Sequence, residues 1–282
     1  MDFSAGTSVP WPSVVNEPGQ ANVVAGMKTV SIRDLGSQWR ANRRFWASWA
    51  DADADADLAI YRSGIAYPLF NGVLRVRDVP IGEAIGIART TLGDTPWAWW
   101  VGGDSAPGVA DALIAHGAQP LASMPVMAYN LERLRPRPVP EGLTMMIITR
   151  ASDLDDFVTA YGEPLGLPPE VVRTLGGYER DRLSRGDQIV HVAGIVGDEI
   201  VATAEVSLGD DTAGLYCIAT DARYRRRGLA TALTHEALRV AREAGHAVAT
   251  LQASAEGVPV YEAMGFETVA GYDLFAFPPE GR

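Results

Sequence analysis

The densest basic stretch of the chain, "DARYRRRGLATALTHEAL" over residues 221–238, sets Arg225, Arg226 and Arg227 against Gly228 and then turns into a helical pattern. The chemistry this favours is anion binding. A helix that begins near Gly228 leaves unpaired N–H groups and partial positive charge at its start. The glycine lets a ligand approach the backbone, small Ala230 and Thr231 keep the first turn open, and the arginines add charge-assisted hydrogen bonds to phosphate. Residues Arg225, Arg226, Arg227, Gly228, Leu229, Ala230 and Thr231 therefore form a candidate pyrophosphate cradle. The stretch is neither the GxxxxGK[ST] phosphate loop nor the dinucleotide GxGxxG.

Three other residues could bear chemistry. Glu205 lies in "VATAEVSL", where strand alternation puts it on one face with Thr203 and Ser207. On a central strand facing a cleft it could accept a proton directly or through water; the alternative is an exposed strand residue. Tyr261, in "VYEAMGF", is a phenol that stays protonated at neutral pH and can donate, or else a core tyrosine on a short helix. Asn71, in "FNG", is an amide among apolar neighbours and a candidate acceptor-substrate contact. The four histidines lack metal-ligand spacing, and "DADADADLA" lacks the glycine and distal glutamate of a calcium loop, so no metal site is expected. Cys217, the single cysteine, has no paired base in view and is expected in the core.

The second half must position these groups. Strand signals at "LTMMIITR", helices at "DLDDFVTAYG" and "PPEVVRTLGGYERDRLS", and three strands across 189–220 precede the basic stretch. The helix after it, the strand "AVATLQAS", the helix "GVPVYEAMGF" and a last strand "DLFAF" complete the order β-α-α-β-β-β-α-β-α-β, a mixed α/β layer fold. The first half reads as a helix over 31–50, strands over 65–76, a helix over 81–93, a strand at "WAWWVGG", a short helix ending at Gly117, and a strand at "MPVMAYNL". Its end parallels the end of the second half: "DALIAHGAQPLASMPVMAYNL" matches "PVYEAMGFETVAGYDLFAF" as helix, glycine stop and strand. Residues 1–25 read as a tail, 26–133 as the first domain, the proline-rich 134–142 as a linker, and 143–282 as the second domain.

"RRRGLA" at Arg225–Ala230 matches the R/Q-x-x-G-x-G/A signature of the GNAT N-acetyltransferase superfamily, and "LQASAEGVPVYEAMGF" is similar to its later strand-helix unit. The resemblance covers about residues 142–282. The first half resembles a degenerate copy: it lacks the signature, and Leu113 stands where Tyr261 would fall. The resemblance implies two GNAT-like domains, each a mixed, mostly antiparallel sheet flanked by helices, with the second one catalytic. It implies acetyl-CoA or another acyl-CoA as co-substrate. The cradle would hold the pyrophosphate, Ile218, Ala219 and Thr220 would line the pantetheine arm, Ser254 would stand near the cofactor, and Tyr261 would protonate the departing thiolate. Some members carry a glutamate where this chain has Gly214, which leaves Glu205 as the substitute base. The implied activity is acyl transfer, foremost acetyl, to a primary amine of a small molecule or peptide. A non-catalytic acyl-CoA-binding or regulatory module, or use of a longer acyl donor, are the alternatives.

Composition limits partners. The net charge of -11 over 282 residues argues against nucleic-acid binding. No apolar run reaches membrane-spanning length, and the start lacks the pattern of a secretory signal. With one cysteine, these features point to a cytoplasmic protein, monomeric or a homodimer.

Overall fold

The structure, a computed structural model, describes residues 30–278; the tail expected over 1–25 lies outside them. Apolar and aromatic residues at helical spacing form α1 (Leu35–Ser48), whose start is capped by the Asp34 carboxylate accepting from the Ser37 N–H. The aspartate run that follows makes turns, and its Asp55 and Asp57 are taken up by Arg43, Arg44 and Arg77. Next come β1 (Leu58–Arg62), β2 (Asn71–Val76), α2 (Ile81–Leu92), β3 (Ala98–Val101), α3 (Val109–Ala115) and β4 (Gln119–Asn130). The rest is β5 (Thr144–Ile148), α4 (Leu154–Gly162), α5 (Pro169–Arg185), β6 (Ile189–Val196), β7 (Glu199–Ser207), β8 (Ala213–Thr220), α6 (Leu229–Glu243), β9 (Val248–Gln252), α7 (Val258–Met264) and β10 (Glu267–Ala276).

All ten strands join one mixed sheet in the order β1-β2-β3-β10-β4-β9-β8-β7-β6-β5. Its centre is an exchange. β10, made last, pairs antiparallel with both β3 and β4, while β4 pairs antiparallel with β9. Each half of the chain thus inserts one strand into the other. Gly117 and Gly265, both at positive φ, end α3 and α7 just before the exchanged strands. The helix-glycine-strand units that match in sequence therefore lie against each other across the β4–β10 pair.

Helix α1 crosses from the first half onto the second. Ser37 Oγ lies 2.7 Å from Thr212 Oγ1, and Thr250 Oγ1 donates to Gln38 Oε1 at 3.0 Å. Phe45 stacks flat on Tyr216, with ring centroids 3.4 Å apart. Arg40 and Arg44 reach Asp210 in the β7–β8 turn. The two buried contacts, Ser37–Thr212 and Gln38–Thr250, fix how the helix lies where apolar packing alone would let it slide.

Both halves contain a parallel strand pair that opens. β2 and β3 pair only at Gly72–Ala98 and Val73–Trp99. In the first half the loop after β3 closes the opening: the Ala106 N–H donates to Val76 O at 2.8 Å, and the Val76 N–H donates to Ser105 Oγ at 3.4 Å. The buried Arg43 pairs with Asp104 of the same loop and holds it in place.

Candidate functional site

In the second half the matching pair, β8 and β9, runs parallel and pairs only at Ala213–Ala249 and Gly214–Thr250. Beyond these residues the strands diverge. On its other edge β8 carries a bulge against β7, where the register shifts between Thr203 and Glu205. Cys217 sits at that bulge with φ 48°, and Thr203 Oγ1 donates to its carbonyl at 2.7 Å. The bulge turns the second half of β8 away from the flat sheet and aims Ile218 into a cavity of about 240 Å³.

After Thr220 the chain makes a short 3-10 turn over Ala222–Tyr224 and enters α6 through Arg226 (φ 61°) and Gly228 (φ 80°). This left-handed entry leaves α6 with no side-chain cap. Among the described residues, no backbone acceptor takes the N–H groups of residues 226–231. Arg223 is neutralised by Asp221 and Glu199. Arg225 bonds only the Thr220 carbonyl, at 3.3 Å, and Arg227 lies over the Tyr224 ring. Among the described residues none of Arg225, Arg226 and Arg227 is ion-paired, so open N–H groups and free guanidinium charge coincide at one helix start.

Tyr261 and Ser254 both line the cavity. Tyr261 stands on α7, its ring edge-on to Phe266, and burial pushes its phenol up to about 12. It therefore remains a proton donor across the physiological range. Ser254 Oγ accepts from the Gly257 N–H at 3.2 Å and so starts α7. Ala219 is buried in the core beside Phe45 and Tyr216, and Thr220 Oγ1 is buried with no partner.

Glu205 is placed differently from the cleft-facing carboxylate expected of it. It is fully buried and does not line the cavity. Directly across the β6–β7 ladder stands His191, and α5 lays Glu179 and Arg182 over both. Arg182 Nη1 donates to Glu179 at 2.9 Å and to Glu205 at 3.5 Å, His191 Nε2 donates to Glu179 at 3.1 Å, and Tyr161 donates to Glu179 at 3.3 Å. Burial and the neighbouring Glu179 carboxylate push Glu205 up to about 7. Burial also raises Glu179, but Arg182 and His191 outweigh it and bring that group down to about 2. His191 is held above its usual value: burial opposes its charge, but Glu179 and Glu205 more than offset it. Burial raises the Cys217 thiol, and the Glu205 carboxyl beside it adds to the effect. Glu179, His191 and Glu205 could converge on a cation, but Arg182 already supplies their positive charge.

Asn71 requires a correction. It is fully buried behind Phe70 and does not itself line the cavity. Its amide nitrogen donates to the Ile65, Tyr67 and Pro96 carbonyls, and its oxygen accepts from the Gly64 N–H. With donors and acceptor spent on backbone, it fixes the 63–70 loop and has nothing left for a substrate.

Aromatic residues of the first half supply much of the opposite wall of the cavity. Phe45 and Trp46 come from α1, Trp49 from its C-terminal cap, and Tyr161, Leu165 and Leu167 from α4 and the turn after it. Beneath them Arg182 lies against the Trp49 ring at 4.3 Å and the Phe45 ring at 5.0 Å. Glu179 and Arg182 are spaced i, i+3 on one helix face, which brings both under this wall.

Gly214, where some family members carry a glutamate, also has a local reason. A Cβ there would lie 2.5 Å from the Tyr216 ring, which is pinned by its stack on Phe45.

Residues 155–266 match the family model described as the acetyltransferase (GNAT) family. No curated protein sequence matches the chain. Among solved structures, a GCN5-related N-acetyltransferase from Kribbella flavida aligns with TM-score 0.66 and 17% identity, covering 90% of this chain and 98% of that one. One from Sphaerobacter thermophilus aligns with TM-score 0.59 and 18% identity, over 77% of this chain and 74% of that one. A tandem GNAT protein from the clavulanic acid biosynthesis pathway aligns with TM-score 0.56 and 17% identity, covering 79% of each chain. Residues 155–266 are thus similar to the GNAT acetyltransferase family, and the fold of the chain is shared with a tandem GNAT protein.

Proposed function

We propose that the chain is an acyl-CoA-dependent N-acyltransferase that moves an acetyl group from acetyl-CoA to an amine by direct attack. In this reading residues 143–282 are the catalytic unit, 26–133 a degenerate one, and 134–142 the linker. The backbone of Arg225–Thr231 holds the pyrophosphate, with Arg225, Arg226 and Arg227 adding charge around it. Ile218, Ala219 and Thr220 offer the free edge of β8 to the pantetheine arm, and Ser254 borders it. Tyr261 gives its proton to the leaving thiolate. Glu205 takes up a proton only indirectly, past Cys217, the cavity residue that borders its carboxyl.

One observation carries this reading. Where β8 and β9 diverge, β8 leads from Ile218, in the wall of a cavity that a protonated phenol also lines, to an unpaired cationic helix start a few residues on. A phosphate at one end and a thioester at the other would satisfy both. The experiment is calorimetric titration with acetyl-CoA, followed by thiol release on addition of a panel of amines. Saturable binding and amine-dependent release are expected; absence of acetyl-CoA binding overturns the reading, and binding without release for any amine reduces the chain to a binding module.

A further inference from the structure

The cavity beyond Tyr261 has a composition unlike a site for charged amines. Of its nineteen lining residues, nine are aromatic and none is Asp, Glu, Lys, Arg or His. The charges nearest its floor are already matched to one another: Arg182 faces Glu179 and Glu205, and His191 faces Glu179. An ammonium entering here would lose its water and find no counter-charge, a cost of several kcal/mol unless it sheds its proton. A neutral, flat molecule meets no such penalty. The rings of Trp46, Trp49 and Phe70 meet at steep angles, 73° and 69° between Phe70 and the two indoles, so they offer edges and faces to a planar guest. An alkyl chain would gain contact area but none of this ring complementarity.

Size points the same way. An engineered apolar cavity of about 150 Å³ accepts benzene. At about 240 Å³ this one has room for a one- or two-ring body together with the end of a thioester arm.

Resting on the acyltransferase reading, we infer that the acceptor is an aromatic amine that is uncharged at neutral pH, seated between α1 of the first half and the β8–β9 opening of the second. Such a nitrogen keeps its lone pair without a base on the cavity wall, which suits the burial of Glu205 away from that wall. The lone pair attacks the thioester carbonyl carbon, the C–N bond forms and the C–S bond breaks. The thiolate takes the Tyr261 proton, the nitrogen's surplus proton leaves past Cys217 toward Glu205, solvent reprotonates the phenol, and amide and thiol leave.

A matched pair of probes isolates the charge. 5-Aminoindane is an uncharged arylamine at pH 7, and 2-aminoindane, of the same skeleton, is an ammonium. With acetyl-CoA, thiol release from 5-aminoindane is expected to exceed that from 2-aminoindane and from spermidine by about 100-fold in kcat/KM. Trp49→Leu should raise KM for 5-aminoindane several-fold, up to about tenfold, with a smaller change in kcat. Leu165 is 43% exposed at the cavity wall, so Leu165→Glu tolerates folding while placing a carboxylate there. It should narrow the 100-fold preference. Equal or better turnover of 2-aminoindane or spermidine overturns the inference. So does preferred use of octanoyl-CoA with no binding of 5-aminoindane, which would give the cavity to the acyl chain. If calorimetry shows 5-aminoindane bound but acetyl-CoA not, the acyltransferase reading falls while the cavity assignment stands.

Discussion

Burial raises both Tyr261 and Glu205, with different consequences. For the tyrosine it only makes more secure a proton that the residue would hold anyway. Tyr261→Phe removes the donor without altering the ring's contact with Phe266, so kcat is expected to fall by about 100-fold or more while acetyl-CoA affinity holds. Single-turnover thiol release against calorimetric affinity separates the two. For Glu205 burial changes the charge state near neutrality. Folded Glu205 keeps its proton to about 7, whereas an unfolded glutamate releases it near 4.5. Its contribution to stability is complete below about 4.5 and lost as pH rises through about 7. Glu205→Gln cannot titrate, so urea midpoints should fall less between pH 4.5 and 7.5 than in the parent, by up to about 3 kcal/mol. Glu179 acts in the opposite sense: its stabilisation is present above about 4.5 and lost as pH falls toward about 2. Identical slopes in the two proteins would remove Glu205 from the balance.

At the level of elements, the second half was legible because its signals are local. Every strand and helix expected between Leu143 and the last strand is present and in order. A glycine stop and a run of β-branched residues act within a few positions of themselves. Helix α4 follows directly on a 3-10 turn over Ala151–Asp153, and Asp153 begins it without a side-chain cap. The strand β1 is hard to read because it is only five residues long and follows directly on a run of aspartates. The proposed cradle is a local feature in the same sense as the strands, since seven consecutive residues would make it. The cavity is not: α1, α4 and β8 meet there from distant parts of the chain, and only the exchanged sheet brings them together. Asn71 read as a lone amide because its partners, up to 25 residues away, are backbone atoms. Beside it, Gly72 makes an element-level test. A Cβ at that position would lie 1.9 Å from the Ala98 carbonyl oxygen, where β2 and β3 pair. Gly72→Ala should cost about 1–3 kcal/mol or more in urea unfolding; an unchanged midpoint would mean that the strands can separate there freely.

Across the whole molecule the two halves differ at one equivalent place. The opening between β8 and β9 is left free, whereas that between β2 and β3 is filled by Ser105, Ala106 and the Arg43–Asp104 pair. The first half therefore contributes walls to the cavity while its own strand opening is closed. The halves are also not separable at their linker. Cutting between Arg137 and Pro138 leaves β4 with its β9 and β10 partners on another chain, and β10 without β3 and β4. Residues 138–282 expressed alone are expected to be insoluble or to lack cooperative thermal unfolding, and co-expression with residues 1–137 to restore a single transition by circular dichroism. A separately folded second half would mean that the exchange adds little to its stability.

The exchange also sets a timetable. During synthesis the first half emerges with a slot beside β3 that only Glu267–Ala276 can fill. At about 5–20 residues per second, the ribosome takes on the order of ten seconds to deliver that strand after β4 has appeared. For that interval the nascent chain carries unpaired strand edges, the surfaces that recruit other nascent chains or a chaperone.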